Sequence, residues 1–233
     1  MTDAVLQKIM SRGYWKVTMH PSVFRQDRIA NLIVCQELME DCKVVLRGWD
    51  YPNFDEPICG QDFIWYETDW QVYKEYWRFY QSGQFVNYFG CQEDWWKETG
   101  FASAQARLYN PGEVLEIICS LYRLTEIYEF ASRLAQKDVF DEQMSMTIEL
   151  HGMHGRKLVA LDRILFPIEY ECEEEHLLFE KAFPVQNLLA RASELSLEHA
   201  LCVFERFNWR HVRSPEIVAN LREDQKKLLE RRL

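Results

Sequence analysis

None of the seven cysteines in this 233-residue chain stands in a C-x-x-C pair, and their number is odd. A disulfide framework is therefore not expected. No stretch approaches the roughly 18 consecutive apolar residues of a membrane span, and Met1 to Trp15 lacks the basic, apolar and small-residue segments of a signal peptide. These absences read as a reduced, cytoplasmic protein. Glycine (9) and proline (7) are sparse, and no repeat, low-complexity tract or Gly/Ser linker divides the chain. With 48% hydrophobic and 27% charged residues, the composition excludes a collagenous, coiled-coil or disordered chain. Positive charge is also short, with 27 Lys and Arg against 37 Asp and Glu, a net charge of −10. That balance disfavours nucleic acid and anionic membrane as partners. The phosphate-binding loop, the dinucleotide fingerprint and the nucleophile elbow are all missing.

What the chain has in excess is aromatic side chains, 14% of residues. Of its 33 aromatics, 18 fall between Trp49 and Phe101, together with ten acidic residues and three basic ones. Bulky flat side chains pack well on a pleated surface, so strands are expected over Asp62 to Asp69 and Tyr73 to Phe89. Ser82-Gly83 reads as the two-residue loop of a hairpin, with Gly83 supplying a positive φ. Pairing Gln81 with Gln84 puts Trp77, Phe79, Val86 and Tyr88 on one face, and Tyr76, Arg78, Tyr80, Phe85, Asn87 and Phe89 on the other. The first face is apolar core. The second, with a guanidinium and an amide among four rings, is either a packed face or a binding surface.

Around this stretch the pattern reads as α+β: a mixed or antiparallel sheet with aromatic-rich hairpins, packed helices and a helical C-terminal part. Residues 1–110 form the aromatic β-region and residues 111–233 helices with one hairpin, within a single domain. Thr2 to Ser11 is a short helix, Tyr14 to Met19 a strand, Ser22 to Asp41 a helix and Lys43 to Arg47 a strand that has room to pair parallel with the first. Asn110-Pro111-Gly112-Glu113 has the residues of a helix start, and apolar spacing carries that helix to Gln136. Met144 to Leu150 and Lys157 to Leu161 alternate across His151-Gly152-Met153-His154-Gly155 as a second hairpin. A strand over His176 to Phe183, a helix from Pro184 to Phe207 and a last helix from Ser214 complete the order. That last helix is equally a partner-binding helix or a packed one.

Few residues carry a chemical signal. His151 and His154 lack a third and fourth donor and do not have helical metal-site spacing, so they read as polar turn residues. The cysteines on helical apolar faces, Cys35, Cys119 and Cys202, read as small buried side chains, and Cys59 has no local base. Carboxylates at Asp62, Glu67, Asp69, Glu93 and Asp94, and from Glu169 to Glu175, read as solvated acidic faces. A Mg²⁺-dependent hydrolase or nuclease drawn from residues 62–94 is the alternative. Arg47 and Arg78 lie among aromatics and either cradle a ligand or pair internally with carboxylates such as Asp50. No cofactor or metal is expected, and no catalytic residue is assigned.

Arg47-Gly48-Trp49-Asp50-Tyr51-Pro52 and Trp77 to Phe85 resemble a region found beyond the Schlafen-type AlbA_2 domain of bacterial putative nucleic-acid or ATP-binding proteins. Gly13-Tyr14-Trp15 and Phe204 to Trp209 fit the same pattern. The resemblance implies a bacterial accessory module, mobile-element or defence-associated, without the activity of that domain, of which this sequence has no recognisable segment. The expected function is non-catalytic recognition of a protein partner or ligand by the aromatic, acidic β-region. Its site is drawn from Arg47, Trp49, Tyr51, Tyr76, Arg78, Tyr80, Phe85 and Asn87. Single-strand nucleic-acid binding by stacking is a further alternative that lacks a basic groove.

Overall fold

A computed structural model describes residues 4–100, 102–161 and 170–232; Thr2, Phe101 and Glu169 lie outside them. The fold is α+β, built on one antiparallel sheet of seven strands. Their order is β11 (His176–Pro184), β9 (Gln143–His151), β1 (Tyr14–Pro21), β7 (Phe85–Gly90), β6 (Tyr73–Tyr80), β5 (Phe63–Trp70) and β4 (Ile58–Cys59). Strands from both halves of the chain therefore share one sheet. Four short strands stand apart as two pairs. β2 (Val44–Val45) is antiparallel to β3 (Asp50–Tyr51), and β8 (Val114–Glu116) is parallel to β10 (Lys157–Val159).

The longer helices, α2 (Leu32–Cys42), α3 (Ile117–Gln136), α4 (Val185–Glu205) and α5 (Pro215–Leu229), gather on one face of the sheet. α3 is buried nearly all round, packing against α4, α5 and α2. Beneath it the sheet contributes Trp15, Val17, Trp77, Phe79, Phe85, Ile148 and Leu150 to the main core. Each such side chain, removed from water, is worth about 1.5–3 kcal/mol. α5 buries Leu221 in this layer, with Ile217 and Val218 packed against it, so it is a packed helix.

The β6–β7 hairpin differs from the sequence reading by one residue. Tyr80 N donates to Gln84 O and Gly83 N to Tyr80 O, which makes a three-residue loop of Gln81, Ser82 and Gly83. Gly83 has φ +81°, the left-handed position that closes three-residue hairpin loops. The pairs are Trp77 with Asn87 and Phe79 with Phe85. Because side chains alternate with period two, this single-residue shift leaves the β6 faces as expected and exchanges those of β7. Phe85, Asn87 and Phe89 join the core, while Val86 and Tyr88 turn to the other face.

Other expectations change for related reasons. β2 does not pair with β1, whose two edges are already taken by β7 and β9 over long ladders. The proposed hairpin across His151 to Gly155 does not form. β9 pairs with β1 and β11, and the buried ion pair of Arg156 draws the following chain out of the sheet toward β8. Glu113 reaches back to Asn110 N as anticipated, yet Val114–Glu116 is held as a strand by β10, so α3 begins at Ile117, capped by Glu116. α2 begins at Leu32, where Asn31 accepts from Val34 N. The segment before it is pinned instead by Arg28 on Asp141.

Candidate functional site

On the face of the sheet away from α3, cross-strand register assembles side chains from five strands. Tyr76, Arg78 and Tyr80 of β6 stand beside Glu67, Trp65 and Phe63 of β5. Val86 and Tyr88 of β7 continue the rows to Thr18 and Lys16 of β1, which meet Thr147 and Glu149 of β9. Apart from Tyr76, these side chains are half-buried, whereas their sequence neighbours Trp77, Phe79, Phe85 and Ile148 are fully buried. At this face lies α1 (Ala4–Met10), with the Trp95 ring beside it, its centre 5.0 Å from Lys74 Nζ. The helix packs against β5, β6 and β7, and its Lys8 reaches Asp69 opposite Lys74. Tyr76, 2% exposed, lies at that covered end.

Arg78 is the cationic centre of this strip. Its Nε donates to Tyr76 Oη, and its guanidinium stands 5.0 Å from the Phe63 ring centre and 5.3 Å from that of Tyr76. Burial opposes its charge, but hydrogen bonds with Tyr80 and Tyr76 outweigh that and raise its pKa. Tyr80 packs against Phe63 and Trp65 against Tyr76.

Five residues expected at the same site lie elsewhere. Arg47 is engaged internally: its Nε and Nη2 bind the two oxygens of the buried Glu126 at 2.8 and 3.0 Å, with Arg123 3.3 Å from the same carboxylate. Asp50, the partner anticipated for it, pairs with Lys43 instead. Tyr51, Phe85 and Asn87 are fully buried. Asn87 donates to Glu75 Oε1 at 3.0 Å, and burial pushes the Glu75 carboxyl up to about 7 against the opposing pull of Arg123. Trp49 occupies a third place, stacked 4.1 Å from Tyr73 and 5.4 Å from Trp70. These rings line an open cleft of about 470 Å³ together with Trp96.

Of the carboxylates read as a solvated face, Glu93 and Asp94 are buried. Arg156 binds Asp94 through two hydrogen bonds of 2.6 and 2.8 Å, and Gly13 N and Gly112 N donate to the same group. Glu93 accepts from Glu116 N, and burial raises its pKa to about 7. Asp69 is paired with Lys8 and Lys74. These groups do not converge on a common point.

A different cluster does. Glu149, His151 and His176 bring one carboxylate oxygen and two imidazole nitrogens within 4.8 Å of one another, the sole such trio among the described residues. His151 and His176 face each other directly across the β9–β11 ladder. His154 takes no part; its Nδ1 lies 3.1 Å from Glu173 O at the exposed turn. Spacing along the chain singled out His151 with His154, and no local signal pairs His151 with a residue 25 positions on. No protein-family model matches the chain, and no curated protein or solved structure matches it either.

Proposed function

We propose that this chain is a non-catalytic binding protein, and that it recognises a protein partner through the aromatic face of its sheet away from α3. The observation that carries the reading is the row of half-buried Trp65, Arg78, Tyr80 and Tyr88 on the side away from α3, whose Lys74 end is covered by α1 and Trp95. Aromatic side chains and arginine supply most of the energy of protein interfaces, and a centre of this kind inside a polar rim is the usual arrangement. Five strands about 4.8 Å apart give the strip a width of roughly 20 Å, the scale of a protein contact rather than of a small-molecule cleft. The resemblance to the region beyond the AlbA_2 domain supports an accessory role in a bacterial defence system.

The test places a photo-crosslinking amino acid at Tyr88 and identifies the polypeptide captured in the native host. One defined partner, lost when Arg78→Ala and Tyr80→Ala are combined while the melting temperature stays within a few degrees, supports the reading. Cross-links that survive both substitutions, or a collapse of stability, would place Arg78 and Tyr80 among purely structural residues.

A further inference from the structure

From the arrangement of Glu149, His151 and His176, we propose that the β9–β11 end of the sheet is a binding site for a divalent transition metal, zinc by its donor set. His151 Nε2 and His176 Nε2 stand 3.2 and 3.3 Å from the same oxygen, Glu149 Oε2. Two ligands about 2.1 Å from a tetrahedral ion are separated by about 3.4 Å, so both spacings already match those across a shared metal. Imidazole nitrogen with a carboxylate oxygen is a ligand set suited to zinc, and three protein ligands leave a fourth position open.

The surroundings hold the donors in place. Tyr14 stacks on His151 at 4.3 Å, and His151 stacks on His176 at 4.3 Å, so a column of three rings fixes the middle imidazole. Lys16 Nζ bonds the far oxygen, Glu149 Oε1, at 2.6 Å. That contact orients the carboxylate and leaves Oε2 to the ion, which is the role of an outer-shell partner. His151 Nε2 lies within hydrogen-bond reach of Oε2, and a cation among the three atoms takes the place of that proton, while the Lys16 pair needs neither histidine. His176, with a side chain 40% exposed on the edge strand, gives the ion a way in. His151 and Tyr14 also line an open cleft of about 550 Å³ beside the trio. Bound there, the ion ties edge strand β11 to the centre of the sheet.

The test titrates Zn²⁺ into the chelator-treated full chain by calorimetry and repeats it with Co²⁺ to read the ligand set from its spectrum. One ion per chain is expected, with a Co²⁺ spectrum free of thiolate charge-transfer bands. His176→Ala and Glu149→Gln should each weaken binding by about tenfold or more, and His154→Ala should leave it unchanged. Zn²⁺ should raise the melting temperature of the wild type and not that of His176→Ala. Since His176 is at the surface, that variant carries the test even if Glu149→Gln folds poorly for want of the Lys16 pair. No uptake, uptake undiminished in His176→Ala, or a thiolate spectrum pointing to the cysteines would overturn the assignment.

Discussion

Arg47 and Arg78 both lie among aromatics in one stretch of sequence, and they end in opposite environments. Arg47 neutralises the buried Glu126, so Arg47→Ala leaves a carboxylate with only Arg123 to balance it and should cost about 3 kcal/mol in chemical denaturation. Arg78 works at a half-exposed surface, where stacking on rings is worth about 1 kcal/mol or less, and Arg78→Ala should be correspondingly mild. Glu75 offers a pH test. Its folded pKa, raised by burial to about 7 from 4.5, means that the folded chain binds the proton more tightly. Its contribution to stability is complete at low pH and is lost as pH climbs through that window. Glu75→Gln should therefore gain stability relative to the wild type between pH 5 and pH 8, by at most roughly 3 kcal/mol, as read from denaturation curves at the two values. None of these environments was legible from composition. A guanidinium or carboxylate declares its charge in the sequence, but its partner here sits 79 positions away for Arg47 and 62 for Arg156.

The β6–β7 hairpin shows how much an element reveals of itself. Alternation along Tyr73–Tyr80 identified the buried Trp77 and Phe79 and the opposite face of Tyr76, Arg78 and Tyr80, because side-chain direction follows from strand geometry alone. The direction of β7 depended on one loop residue. Gly83 is also confined by space: a Cβ there would lie 2.9 Å from Arg28 Cδ and 3.1 Å from Val139 O. Gly83→Ala thus meets both a disfavoured φ and a crowded site, and should lower stability by about 1–3 kcal/mol, measured as a fall in melting temperature. β10 makes the same point for a longer distance. Its three residues alternate as a hairpin arm would, yet they run parallel to β8, because Arg156 beside it is bound to Asp94.

For the molecule as a whole, the centre of the sheet and the helix beneath it are the regions with most to lose on opening. β1 is laddered on both sides and α3 is buried nearly all round, whereas β4 is a two-residue edge and β11 carries an exposed row that includes Leu178. Amide hydrogen exchange should accordingly be slowest in β1, β7, β9 and α3 and fastest among the strands in β4 and β11. Equal protection at the edges would contradict this order. The sequence by itself determined the α+β class, most helix and strand locations, the aromatic concentration between Trp49 and Phe101 and the two faces of β6, all consequences of composition and short-range periodicity. Only the tertiary structure decided the sheet order, the register of β7, the internal place of Arg47, Tyr51, Phe85 and Asn87, and the meeting of Glu149, His151 and His176. The reason is that periodicity states which way a side chain points within its own strand. Which strand lies alongside is settled by loop geometry, by competition for hydrogen-bonding edges and by buried charges that pair across the chain.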